Sequence, residues 1–245
     1  MTVISVVIPT YNRAPVLPRA IESVLDQSFG DFELIIVDDG STDHTEEVVH
    51  RYEDSRIRYL CFDENKGANA ARNHGIQIAS GTYISFLDSD DEFLPSHLST
   101  VVAAFRDAPS RVAGIFTSYA VLNDNEPDRI STADPGLVSI DEVLIYNPIG
   151  SLSCTTFRAD VLAEVGGFDP SFDARQDLDL YVRVLEDYEM LGIDEVLANH
   201  YRGDNTITSN LERRLQGHER FLDKHGEMMS SKGIAHTLYA GVHLC

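Results

Sequence analysis

Apolar positions follow two different rules along this chain. Residues 3–8 form an apolar run interrupted only by Ser5, as in a strand buried on both faces. Val16, Leu17, Ala20, Ile21, Val24 and Leu25 then recur at the spacing of one helical face. Residues 32–37 predict a second strand. Asp43 with Glu46 predicts a capping box that opens a helix through Val48, Val49 and Tyr52. Residues 57–61 predict a third strand, 67–79 a helix of small residues, and 82–87 a fourth strand. Pro95 begins a helix with Leu98, Val101, Val102 and Phe105 on one face, and 112–121 predicts a fifth strand. Strand and helix alternating in this way predict an α/β fold with a mostly parallel, doubly wound sheet.

Beyond residue 121 the pattern loosens. Residues 123–136 read as a polar loop rich in Asp, Asn and Pro, 139–146 as a short helix and 153–157 as a strand. A short helix is expected at 160–165, stopped by Gly166-Gly167. Leu178, Tyr181, Val182 and Leu185 share a helical face, 189–201 reads as extended, and 209–228 as helical. The end of the chain, from Thr237 to Cys245, is apolar enough to dock on the domain, on another chain or near a membrane. No repeat or linker breaks the pattern, so one domain over 1–245 is expected. It divides at about residue 120, with 206–245 as a helical extension.

Charge changes this picture. Forty acidic residues against 19 basic ones give a net charge of −21, and only Lys66, Lys224 and Lys232 are lysines. Such a surface repels nucleic acid and anionic membrane, and it suits high salt, where self-repulsion is screened. Cys61, Cys154 and Cys245 are too far apart for a zinc site or a disulfide framework, which fits a reducing compartment. No apolar run approaches the roughly 18 residues that span a bilayer. The start lacks a basic region and cleavage site, so no signal peptide is expected.

Chemistry gathers at three predicted strand ends: Pro9-Thr10-Tyr11-Asn12-Arg13, Val37-Asp38-Asp39-Gly40-Ser41 and Leu87-Asp88-Ser89-Asp90-Asp91. In a parallel sheet these lie along one edge, where α/β folds bind ligands. The ring of Tyr11 can stack on a base, and Asp38 or Asp39 can accept from a base N–H or a ribose hydroxyl. In an extended segment Asp88 and Asp90 project to the same side, and paired carboxylates call for a hard divalent cation that also grips a pyrophosphate.

The ordered set Val-Val-Ile-Pro-Thr-Tyr-Asn-Arg, Val-Asp-Asp-Gly-Ser-Thr-Asp, Asn65-Lys66-Gly67 with Ala71-Arg72-Asn73, and Phe-Leu-Asp-Ser-Asp-Asp resembles the family 2 glycosyltransferases of GT-A fold over about residues 3–205. The resemblance implies inverting transfer of a sugar from a nucleotide-diphosphate donor to a saccharide or lipid-linked hydroxyl, with Mg²⁺ or Mn²⁺. It makes 1–120 the nucleotide-sugar half and 121–205 the acceptor and base half. Pro9, Thr10, Tyr11, Asn12, Asp38 and Asp39 would line the nucleoside pocket, with Arg72, Asp88 and Ser89 at the ribose and diphosphate. Asp90 and Asp91 would take the metal, with His200 a later ligand and Arg202 a counter-charge for the leaving group. Asn73 would cap or bridge loops.

Arg175-Gln176-Asp177-Leu178-Asp179 matches the family's base motif, with Asp177 as the implied base and Asp179 as the fallback. The family usually has Glu where Gln176 stands. Loss of that like charge predicts that Asp177 ionises at lower pH, while Gln176 can hydrogen-bond an acceptor hydroxyl. The resemblance implies a cytoplasmic enzyme at the inner face of the membrane, brought there by its acceptor. Two rivals remain: an inactive sugar-nucleotide binder serving as partner or regulatory subunit, which Gln176 favours, and a sugar-1-phosphate nucleotidyltransferase, whose Gly-rich basic loop is absent after the first strand.

Overall fold

The computed structural model describes residues 2–123, 126–202 and 211–229. The first half alternates as its pattern predicts: β1 (Ile4–Thr10), α1 (Leu17–Leu25), β2 (Phe32–Asp38), α2 (Thr45–Val49), β3 (Ile57–Cys61), α3 (Ala68–Ile78) and β4 (Tyr83–Phe86). β5 (Glu92–Phe93) and α4 (His97–Asp107) then lead to β6 (Val112–Asn123). β3, β2, β1 and β4 lie side by side in that order and all parallel.

Alternation within each strand splits the core in two. Val7, Ile35, Val37, Ile84 and Phe86 pack on one face of the sheet, with Ala71 of α3. Ile4, Val6, Ile8, Leu34 and Ile36 pack on the other, with Leu17, Ile21 and Val24 of α1 and Leu98 and Val101 of α4. Both faces are covered, which is why these strands read as nearly continuous apolar runs, broken by Ser5, Glu33 and Ser85. α3 presses closest: a Cβ on Gly75 would lie 2.4 Å from Cγ1 of Val7, so only glycine fits there.

The second half is mixed. β7 (Glu126–Ser131), β8 (Gly136–Val138), α5 (Ile140–Ile145), β9 (Thr155–Arg158), α6 (Ala159–Glu164), α7 (Gln176–Asp187), β10 (Glu189–Tyr201) and α8 (Leu211–His225) follow. β9 inserts antiparallel between β4 and β6, and β10 runs parallel to β6. The expected loop at 123–136 is instead largely strand, because β7 folds back antiparallel on β6 and β8 pairs with β10. Its polar sequence reflects exposure, not lack of pairing: β7 is solvent-facing along most of its length.

Two caps differ in outcome. Ser139 and Glu142 form a complete capping box at α5. Asp43 and Glu46 do not; α2 starts after His44, and Asp43 instead accepts from Thr45 and from the Ala14 amide, joining two loops. Gly166 and Gly167 both take positive φ, 79° and 67°, and end α6 as expected. The apolar stretch from Thr237 to Cys245 lies outside the described residues. Among the described residues, no helix is long and apolar enough to cross a membrane.

Candidate active site

Register places the three strand ends together. Thr10 pairs with Asp38 across β1 and β2, and Val7 pairs with Phe86 across β1 and β4. The chain then turns sharply, with the Asp91 amide donating to the Asp88 carbonyl at 3.0 Å. Residues 88–91 are therefore a turn, not the extended end that the two-residue spacing presumed.

The turn separates its acids. Asp88 Oδ1 accepts from Arg72 at 2.8 Å. Asp91 is wholly buried; its carboxylate accepts from the Tyr201 amide at 3.0 Å and from Ser153 Oγ at 2.5 Å, with His200 Nδ1 at 3.1 Å. Ser153 Oγ also accepts from the Asp88 amide. Asp91 thus braces the turn against β10, and the expectation that it ligates a metal is corrected: both oxygens are already occupied by protein. Ser89 is buried inside the turn.

Asp90 keeps spare capacity. Arg13 lies 3.9 Å from its carboxylate, and Arg19 donates to its main-chain carbonyl. The Arg19 guanidinium is itself stacked 3.3 Å from the ring centroid of Tyr201. Burial, then the charges of Asp88 and Asp91, push the Asp90 carboxyl up to about 6. A divalent cation would relieve that crowding. Among the described residues no group of three His, Cys, Asp or Glu side chains is placed to hold a metal alone. Mg²⁺ and Mn²⁺ need no such cage where one or two protein ligands are completed by substrate phosphates, so Asp90 fits the family's cation. The hydrogen bond to Asp91, foremost, holds the His200 imidazole up at about 8.

On the nucleoside side, Tyr11 is exposed. Thr10 is buried with no partner for its hydroxyl, and Pro9 sits within β1 opposite Val37. Asn12, at φ 51°, accepts from the Thr42 and Asp43 amides and so ties the ends of β1 and β2. The paired aspartates face inward. Asp38 accepts from Tyr59 OH at 2.7 Å and the Ser41 amide at 2.8 Å, which makes it an internal strut instead of a pocket group. Asp39 accepts from the Lys66 and Gly67 amides at 2.7 and 2.8 Å, fixing the loop that opens α3. Only its remaining lone pairs are left for a base.

The second carboxylate site is the start of α7. Arg175 enters it in the left-handed conformation, φ 62°. Asp177 Oδ1 accepts from the Leu178 amide at 2.8 Å. Burial raises the Asp177 carboxyl above its ordinary value, against the lowering effects of that amide, Arg72 and Arg175. Desolvation is a separate effect from the missing neighbour charge: Gln176 spares Asp177 a like charge, while burial raises its carboxyl above the ordinary value. Gln176 Oε1 is buried without a hydrogen-bond partner. Asp179, the fallback base, is wholly buried and held by Lys224 at 2.7 Å, His225 at 2.9 Å and Arg183 at 2.9 Å. These partners lower its pKa and leave it no room to act as a base. Arg202 is not directed at a leaving group; it pairs with Asp128 of β7 at 3.0 Å on the exposed surface.

One helix connects the two carboxylate sites. From α3, Arg72 reaches Asp88, while Asn69 donates to the carbonyls of Asp169 and Phe172. Asn73 exchanges two hydrogen bonds with the Phe168 backbone, so it bridges loops as expected. Sequence reasoning missed Arg19, Asn69 and Ser153, which carry no motif of their own. Lys224 had a signal: it is one of three lysines in a strongly acidic chain.

Residues 5–166 match the family described as "Glycosyl transferase family 2". Similar proteins include glycosyltransferase TuaG of Bacillus subtilis (strain 168), named for teichuronic acid biosynthesis, at 34% identity over 84% of this chain and 82% of the relative. WfgD of Escherichia coli, a UDP-Glc:alpha-D-GlcNAc-diphosphoundecaprenol beta-1,3-glucosyltransferase, is 29% identical over 87% of this chain and 82% of its own. Among solved structures, the mannosyltransferase PcManGT from Pyrobaculum calidifontis, in complex with GDP-Man and Mn²⁺, has a TM-score of 0.71 at 20% identity, covering 98% of this chain and 69% of that one. TarS 1-349 of S. aureus in complex with UDP-GlcNAc also has a TM-score of 0.71, at 18% identity over 96% of this chain and 69% of that one. The fold is GT-A.

Proposed function

The chain belongs to glycosyl transferase family 2, and on that premise we propose that this glycosyltransferase moves a sugar from a nucleotide-diphosphate donor, with inversion, onto a hydroxyl of a saccharide or lipid-linked acceptor. The observation that carries this reading is the pairing, through α3, of a crowded acid turn with a buried carboxylate whose pKa is raised.

Tyr11 stacks on the base, and Thr10 Oγ1, buried and unpartnered, takes a nucleoside polar group. Asp88, held by Arg72, faces the ribose, and Arg72 adds positive potential at the diphosphate. Asp90 would hold Mg²⁺ or Mn²⁺, with His200 Nε2 free to join it. When bound, that ion neutralises charge on the departing diphosphate. The acceptor hydroxyl donates to Gln176 Oε1 and then loses its proton to Asp177 as its oxygen attacks the anomeric carbon. The bond from that carbon to the diphosphate oxygen breaks on the opposite face, so configuration inverts and the nucleoside diphosphate leaves.

A diphosphate-linked lipid acceptor, of the kind in the name of WfgD, would bring the enzyme to the cytoplasmic face of a membrane as a peripheral visitor. The charge of −21 is part of the same reading as adaptation to high salt, so assays belong in concentrated KCl.

The test is Asp177→Asn with Mn²⁺ and a panel of nucleotide sugars. Transfer should fall by about 10²- to 10⁴-fold while donor binding, read by thermal shift, is retained. A fully active variant removes Asp177 from the mechanism. Wild-type rates should fall on the acid side at a pH above the ordinary carboxylate range, because the base must be ionised and burial raises it. Donor binding without transfer or hydrolysis in the wild type would favour the inactive binder that Gln176 allows.

A further inference from the structure

The chain from 169 to 179 carries Gln176 and Asp177, and its two ends are held by one side chain of α8. Lys224 Nζ lies 2.8 Å from Asp169 Oδ2 and 2.7 Å from Asp179 Oδ1. Between those anchors the same helix fills the space below. Phe221 is wholly buried, and the Arg175 guanidinium lies 5.5 Å from its ring. Gly217 packs so closely on Ala174 that a Cβ would come within 2.8 Å of the Ala174 carbonyl oxygen. From the other side Asn69 of α3 pins the carbonyls of Asp169 and Phe172. All of α8 lies beyond residues 5–166, the part of the chain that matches the family.

We propose that α8 is the positioning element for the base, with Lys224 closing the 169–179 segment so that Asp177 is held where the acceptor hydroxyl arrives. The inference rests on the assignment of Asp177 as base. Its physical content is that the donor pocket, built from the ends of β1, β2 and β4, needs nothing from α8, whereas the base does. Lys224 is a positioning residue: its ammonium pairs with the carboxylates of Asp169 and Asp179 and so acts on both ends of the segment. An eleven-residue segment left unclosed at one end samples many placements of its carboxylate, and a displacement near 1 Å can cost on the order of 100-fold in rate.

The experiment compares Lys224→Met, Lys224→Arg and Gly217→Ala with wild type and Asp177→Asn, each assayed well below its melting temperature. Lys224→Met should lower kcat by about 10- to 100-fold with donor KM changed less than about 2-fold, and Lys224→Arg should recover part of the loss. Gly217→Ala, which shifts α8 without removing charge, should show the same split and decides the matter alone if Lys224→Met does not fold. Wild-type kcat in the folded variants overturns the proposal. Equal losses in kcat and donor affinity overturn it too, since they mark a general structural defect. If Asp177→Asn remains active, the base assignment fails instead, and the two failures are told apart.

Discussion

The acid turn after β4 and the first turn of α7 each set a carboxylate with spare capacity beside one that is buried and fully used. In the turn, Asp90 is the open group and Asp91 the brace. In the helix, Asp177 is the open group and Asp179 the brace. Burial raises the pKa of both open carboxyls. The braces differ in material. Asp91 is held by a hydroxyl, a backbone amide and one imidazole, all from the sheet side of the molecule. Asp179 is held by Lys224, His225 and Arg183, two of them from a helix at the far end of the chain. A wholly buried carboxylate must be compensated in either case. Where strand ends converge, a hydroxyl, a backbone amide and one imidazole compensate it; at the start of α7, two groups of α8 and Arg183 do. That is where a chain with few basic residues places one of its three lysines.

Removing each brace should expose this difference. Asp179→Ala leaves the buried His225 without its carboxylate and weakens the hold on Lys224 and Arg183, and should destabilise the fold by about 3 kcal/mol in urea unfolding. A loss below about 1 kcal/mol would mean the cluster is solvated and braces nothing. Asp90 tests the open group. Its folded pKa of about 6 lies above the ordinary value for an aspartate, so the folded state binds the proton more tightly. Stability from that group is present below about pH 4 and is lost as pH rises through 6. Asp90→Asn should therefore stabilise the metal-free protein by about 3 kcal/mol at pH 7, with the gain vanishing near pH 4. Mn²⁺ should raise the melting temperature of wild type and not of this variant; an equal rise in both would place the cation elsewhere. Ser153→Ala should have the smallest effect, about 1.5 kcal/mol, because Asp91 keeps the Tyr201 amide and His200. A larger loss than in Asp179→Ala would invert the comparison between the two braces.

The donor half was legible because its signals are local. An apolar run followed by a cluster of small and polar residues is a strand end wherever it occurs, and three of them in a βα alternation converge on one edge. The base site was legible only as a motif. Asp177 was found, and the sequence shows the missing charge at Gln176, but it hides the burial that raises the Asp177 carboxyl. Residues 123–136 were misread as loop because an exposed antiparallel strand such as β7 has few buried positions to announce it. Asp38, Asp91 and Arg202 were placed in the site because their neighbours are there. Their own partners, Tyr59, Ser153 and Asp128, lie 21, 62 and 74 residues away in the chain.

By itself the sequence determined the α/β alternation, the parallel sense of the first strands, the shared edge and the family, all of which follow from short-range periodicity and from motifs at strand ends. Tertiary structure decided which acid in each pair is open and which is a brace. That choice depends on desolvation and on donors brought from distant segments — Ser153, Tyr201, Lys224, His225 — and no local pattern encodes which carboxylate they will reach first.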